Sequence, residues 1–133
     1  MSFLLDTDVC SAHLRRPSGL SHRFVQHSGR LFVPTVGLAE LYVWAYLRPD
    51  PRDFLVAIET FLRYDVKTLE FDEASAEQFG KLKVQLQRIG ITVSPIDLLI
   101  ASVALTHDLT LVTHNTADYQ HIPDLRLEDW LAP

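Results

Sequence analysis

Residues 3–8 read Phe-Leu-Leu-Asp-Thr-Asp. Three apolar residues stop abruptly at an acid, a hydroxyl and a second acid. The run suits a buried strand, and the Asp-Thr-Asp suits the turn into a helix, where Asp and Thr act as cap residues. The same grammar recurs along the chain. Leu31-Phe32-Val33 closes on Pro34, Val66 to Leu69 is a third short strand, and Thr110-Leu111-Val112-Thr113 a fourth. Leu125-Arg126-Leu127 reads as a fifth. Helical stretches lie between them. They cover 8–16, broken at Pro17-Ser18-Gly19; about Leu20 to His27; Thr35, as cap, through Leu47; and 51–64, where Phe54, Ile58, Phe61 and Leu62 recur at helical spacing. A further helix runs from Asp72 to Arg88, with Ala76, Phe79, Leu82 and Leu86 on one face and Gly90 as its stop, and another opens at Ser94-Pro95 and runs to about His107. Continuous apolar strands alternating with helices predict an α/β fold: a three-layer α/β/α arrangement around a parallel sheet of about five strands. In such sheets, function sits beyond the carboxyl ends of the strands.

The chain has 133 residues, which fits one domain spanning 1–133. Apolar residues make up 47% and charged residues 22%, ordinary values for a globular chain and not those of a disordered one. The single cysteine, Cys10, excludes an internal disulfide and a cysteine-based zinc site. No stretch approaches the ~20 apolar residues that span a bilayer. The first residues carry no basic region and too short an apolar run for a signal peptide, so a cytoplasmic location is expected. A net charge of −5 argues against a general nucleic-acid coat protein, which would be basic. It leaves room for an enzyme that holds nucleic acid through a cation bound to carboxylates.

The informative signal is where the acids fall. Asp6 ends the first apolar run. Glu40 is the only charge in residues 36–47, and Asp97 the only one between Arg88 and Asp108. Asp118 follows the fourth strand. A carboxylate on so apolar a helix is costly to desolvate unless something compensates it. No Lys or Arg lies near these acids in sequence. A hard divalent cation, Mg²⁺ or Mn²⁺, prefers oxygen ligands and would compensate all four at one rim of the sheet. A capping role accounts for part of the pattern. Ser94-Pro95-Ile96-Asp97 is a capping box, Asn115-Thr116-Ala117-Asp118 fits the same description, and Asp6 and Asp8 would cap the first helix. Glu40 is too deep in its helix for a cap.

Other candidates are weaker. His22 and His27 are spaced loosely like a zinc pair, but nothing completes a site. His107 suits a helix C-terminus. His114 and His121 flank Asp118, within reach of a substrate phosphate. Cys10 reads as a small buried residue. No P-loop or dinucleotide glycine fingerprint occurs.

Five stretches in order, Leu-Leu-Asp-Thr-Asp (4–8), Leu-Ala-Glu-Leu (38–41), Ile-Asp-Leu-Leu-Ile-Ala (96–101), Leu-Val-Thr-His-Asn-Thr-Ala-Asp-Tyr (111–119) and Ile-Pro-Asp-Leu-Arg-Leu-Glu-Asp-Trp (122–130), together resemble the PIN-domain ribonucleases. Within that family they resemble the VapC-type toxins of bacterial toxin–antitoxin pairs. The resemblance implies strand order 3-2-1-4-5 and an acidic site at Asp6, Glu40 and Asp97. Some members carry a fourth acid where Asn115 stands. Others have Asn there and an acid at the position of Asp118, and this chain matches the second pattern. Thr7 and Thr113 match hydroxyl positions lining such sites. Asp8 stands where Asn is usual, which either adds a carboxylate to the cluster or changes a cap. The resemblance also implies Mg²⁺ or Mn²⁺ as cofactor, RNA as substrate, a homodimer, and a cognate VapB-like antitoxin. An ion on these carboxylates would lower the pKa of a bound water for in-line hydrolysis of a phosphodiester, leaving 5′-phosphate and 3′-hydroxyl ends. Arg15, Arg16, Lys81, Lys83 and Arg88 are candidates for gripping the RNA backbone. Trp44, Tyr46, Phe54, Phe61 and Tyr64, on two successive helices, read either as core or as a groove for an antitoxin segment.

Two other classes compete. One is a catalytically inactive member acting as an RNA- or protein-binding module. The other is a Mg²⁺-binding phospho-acceptor signalling domain, which needs an Asp at the end of the third strand and a Lys at the end of the last. Here Leu69-Glu70 ends the third, and Arg126 lies within the last.

Overall fold

The computed structural model describes residues 1–15 and 19–132. Strand β1 (Phe3–Leu5) leads directly into helix α1 (Thr7–Arg15), followed by α2 (Ser21–Gln26), β2 (Leu31–Pro34), α3 (Thr35–Tyr46), α4 (Arg52–Tyr64) and β3 (Lys67–Leu69). Helices α5 (Glu73–Arg88) and α6 (Pro95–Thr106) precede β4 (Thr110–Val112), a single turn α7 (Thr116–Tyr119) and β5 (Leu127–Glu128). The break expected at residues 17 and 18, and Arg16 before it, lie outside the described residues. All strand pairs are parallel and the order is β3-β2-β1-β4-β5. The first strand is therefore central, with Phe3 opposite both Leu31 and Thr110.

Alternation along β1 builds the two cores. Phe3 and Leu5 face the layer of α1–α4 with Val9, Phe24, Leu41, Ile58 and Phe61. Leu4 faces α5 and α6 with Leu82, Leu86, Leu98 and Ile100. Burying both faces explains why β1 and Leu31–Val33 read as unbroken apolar runs, whereas the edge strand β3 carries the exposed Lys67 and Thr68.

Several boundaries differ from the sequence expectation. Helix α1 begins at Thr7 rather than Asp8, and β5 lies at Leu127–Glu128 rather than 125–127. The buried face of α5 uses Ser75, not the exposed Ala76, above Leu82 and Leu86. Thr35 is the first residue of α3 rather than a cap; Pro34 precedes it. The caps at Asp72 and Ser94 do form, their side chains accepting from the backbone N–H of Ser75 and Asp97. Gly90 has φ +74°, the left-handed geometry that ends a helix and that glycine adopts without strain.

Candidate active site

The carboxyl ends of β1 and β4 deliver the core of the site. The Asp6 N–H donates to the carbonyl of Val112 at 2.9 Å, which fixes Asp6 between the two strands. Its side chain is only 6% exposed. Oδ1 accepts from the Thr7 N–H at 2.8 Å. Oδ2 accepts from the hydroxyls of Thr113 at 2.8 Å and Tyr119 at 3.0 Å. Burial, helped by the neighbouring charge of Asp8, pushes the Asp6 carboxyl up to about 6 despite these donors.

Asp97 sits in the first turn of α6, where the Ser94 hydroxyl accepts its N–H at 3.3 Å. The other half of the expected capping box is replaced: Asp97 Oδ1 accepts from the Tyr119 hydroxyl at 3.1 Å. One buried phenol therefore touches both Asp6 and Asp97. Burial and the charges of the two acids hold it far above its ordinary range, so it remains a donor.

Glu40 joins through another hydroxyl. Thr7 Oγ1 donates to Glu40 Oε1 at 2.7 Å. The approach of α3 to α1 depends on Gly37, one turn earlier, where a Cβ would stand 3.0 Å from Thr7 Oγ1 and 3.4 Å from Pro34 Cγ.

Asp8 has a different place. Its Oδ1 accepts from the Val9 N–H, and its Oδ2 from the His114 N–H at 3.0 Å and Asn115 Nδ2 at 3.2 Å. It pins the loop after β4 to the start of α1, and burial is the main cause that pushes its carboxyl up. Asn115 thus supports Asp8 and makes no side-chain cap, so the capping box expected at residues 115–118 does not form. Asp118 is exposed and lies beside Asp97 in a shallow pocket of about 360 Å³ that also includes Thr92, Ser94 and His121.

Asp6 is therefore linked to Asp97 through the Tyr119 hydroxyl and to Glu40 through the N–H and hydroxyl of Thr7, while Asp118 stands at the mouth. Among the described residues, no three acids, histidines or cysteines converge into a ready cation cage. The donor set at this rim is nonetheless entirely oxygen, the type that Mg²⁺ and Mn²⁺ take.

The basic candidates separate. Lys83 borders the 91–93 segment that also edges the Asp97 pocket, and Arg88 is on the last turn of the same helix. Lys81 is paired with Glu77 at 3.0 Å. Arg15 is at the far end of α1, roughly 12 Å along the axis from Thr7 at 1.5 Å per residue. Arg16 lies outside the described residues. Three of the candidate histidines have local partners: His27 stacks on Trp130, His107 meets Asp72 at 3.1 Å, and His114 meets Asp129 at 3.0 Å. Cys10 is fully buried and its thiol is pushed well up, foremost by burial, so it is no nucleophile.

Tyr119 is the residue sequence reasoning passed over. Its one signal is local: an aromatic with a polar tip directly after Asp118, in a segment too short for periodicity to say which way it points.

The family model for the PIN domain matches residues 3–125. The chain is 35% identical over 132 residues to the tRNA(fMet)-specific endonuclease VapC of Shigella flexneri, covering 98% of each chain. It superposes on a chain of the DNA-bound VapBC of Salmonella typhimurium with TM-score 0.92 at 30% identity, again covering 98% of both. VapBC2 of Rickettsia felis gives TM-score 0.91 at 26% identity, covering 98% of this chain and 99% of that one. The β3-β2-β1-β4-β5 order also differs from the 2-1-3-4-5 order of phospho-acceptor domains, which removes that alternative. Motifs, strand order and full-length similarity agree: the chain belongs to the PIN-domain family, beside the VapC ribonucleases.

Proposed function

We propose that this chain is a single-domain, metal-dependent endoribonuclease toxin, acting in the cytoplasm and neutralised by a cognate VapB-like antitoxin. The observation that carries the reading is the buried Asp6, tied by hydroxyls into one network with Asp97 and next to the Thr7–Glu40 pair. An ionised carboxylate this buried is costly to hold without a cation. Asp6, Glu40 and Asp97 would hold Mg²⁺ or Mn²⁺, with Asp118 completing the rim. Such an ion supplies Lewis-acid activation of water and of a phosphate oxygen.

The chain's own residues do the rest. Thr7, Thr113 and Tyr119 orient the carboxylates, and Asp8 with Asn115 fixes the loop that carries Thr113. The shallow pocket beside Asp97 and Asp118 receives the RNA backbone, with Lys83, beside the 91–93 segment, as the basic candidate at its edge. With Cys10 sealed in the core, water attacks phosphorus directly and leaves 5′-phosphate and 3′-hydroxyl ends.

The named relatives support the antitoxin reading, since their structures are VapBC assemblies. Phe54 and Phe61 belong to the core, but Trp44, Tyr46 and Tyr64 are exposed, and Tyr46 shares one surface with Tyr42, Val43 and Leu47. Apolar surface of this extent marks an interaction face, which we assign to the antitoxin or to a second copy in a homodimer.

The test is cleavage of total bacterial RNA by antitoxin-free protein in Mg²⁺, in Mn²⁺ and in EDTA, with Asp97→Asn alongside. Discrete metal-dependent fragments, reduced at least ~100-fold in the variant, are expected. A folded wild type that binds metal and cuts nothing would favour the inactive binding module. Cutting that survives EDTA would sink the metal site.

A further inference from the structure

We propose that Tyr119 is a positioning residue that sets the spacing and orientation of Asp6 and Asp97 for the metal ion, and so fixes the ion's affinity. The inference rests on the proposed metal site and goes one layer outward from it.

The geometry is specific. The phenol oxygen lies 3.0 Å from Asp6 Oδ2 and 3.1 Å from Asp97 Oδ1. It engages one oxygen of each carboxylate. The opposite oxygen of Asp6 meets only the Thr7 N–H. The hydroxyl cannot drift, because Tyr119 is 1% exposed and its ring packs in the α5–α6 core with Ile122 and Leu98. Asp6 comes from the end of β1 and Asp97 from the start of α6, two elements that are not neighbours in sequence. Tyr119 is the side chain that bridges them. A phenol shared by two carboxylates also lowers their mutual repulsion before any ion arrives. Hydrogen bonds that orient ligating groups in this way typically change metal affinity 10–100-fold when removed.

The conservative test is Tyr119→Phe, which keeps the buried ring and removes only the hydroxyl. Mn²⁺ binding to the full chain is read from the electron paramagnetic resonance of the free ion, with wild type and Asp97→Asn in parallel. The expected result is affinity about 10- to 100-fold weaker in Tyr119→Phe, with lost cleavage partly restored by raising Mn²⁺. A purely space-filling tyrosine would leave the Mn²⁺ affinity unchanged and would overturn the proposal. Tighter binding would overturn it too, since the hydroxyl would then be competing with the ion. Wild type binding no tighter than Asp97→Asn would sink the metal site and this inference together. Tight wild-type binding indifferent to Tyr119→Phe would sink this inference alone. A second measurement needs no variant: the ¹³Cζ resonance of Tyr119 in labelled wild type. It should move and saturate in step with Mg²⁺ binding, and a resonance blind to Mg²⁺ would refute the bridge.

Discussion

Replacing Asp6 by asparagine should stabilise the metal-free protein. Asp6 is 6% exposed, and its carboxyl is pushed up from 3.8 to about 6. One decade of proton affinity is about 1.4 kcal/mol, so ionised Asp6 costs the folded state roughly 3 kcal/mol at neutral pH. The sign follows from the direction. Because the folded chain holds this proton more tightly than the unfolded one, the cost is absent below pH ~4, grows as pH rises toward 6, and is complete above it. Asparagine removes the charge but fits the donors less well. Its oxygen can accept from Thr113 and Tyr119, while its amide then meets the Thr7 N–H, a loss of about 1–2 kcal/mol. The net gain is about 1–2 kcal/mol, or a rise in Tm of roughly 4–8 °C for a chain of this size. Thermal unfolding followed by circular dichroism in EDTA at pH 8 measures it, and repeating the scan from pH 8 to 4 should close the gap. Saturating Mg²⁺ or Mn²⁺ should stabilise wild type by ~2.7 kcal/mol at one hundred times Kd and do far less for the variant. A variant melting below wild type at pH 8, or a gap that does not narrow on acidification, would refute the claim that Asp6 is a strained buried charge.

Three further outcomes follow from other parts of the molecule. Gly37→Ala should lower Tm despite the ~1 kcal/mol helix-propensity gain of alanine, because its Cβ would press on Thr7 Oγ1 at 3.0 Å; a raised Tm would show that Thr7 yields freely. His13→Phe should be more stable than wild type at pH 5 but not at pH 8. Burial lowers the pKa of His13, which stacks on Phe24 at 3.8 Å, so wild type loses stability as pH falls below 6.5, and equal pH profiles of Tm would exclude this. Tyr46→Glu, at a site 67% exposed, should leave Tm within about 2 °C yet weaken inhibition by the antitoxin at least ~10-fold in a titration of cleavage; unaltered inhibition would move the antitoxin off this face.

Much of the architecture was legible because two central strands are short apolar runs that stop abruptly, β1 at Asp6 and Leu31–Val33 at Pro34. Phe3–Leu5 and Leu31–Pro34 needed no tertiary information. Strand order did, since pairing β1 with β4 joins residues more than a hundred positions apart and leaves no local trace; only the family resemblance supplied it. Asp6, Glu40 and Asp97 stood out because an isolated charge in an apolar segment violates burial energetics. Asp8 and Asn115 were harder, since a carboxylate that pins a loop looks in sequence like one that binds a cation. Tyr119 was invisible because its role depends on where a one-turn helix lands. Ser75 took the place expected of Ala76 because a one-residue change of phase hardly alters an apolar pattern.

Placing the first strand at the centre of the sheet has a consequence for how the enzyme comes into being. Asp6 is made 107 and 113 residues before its hydroxyl partners Thr113 and Tyr119. At typical translation speeds of 5–20 residues per second, they follow it on the order of ten seconds later. Throughout that interval β1 lacks β4 as a neighbour, and Asp6 lacks both hydroxyls that orient its Oδ2. The bridge from Asp6 to Asp97 therefore closes only after β4 and the turn that follows it have settled beside β1.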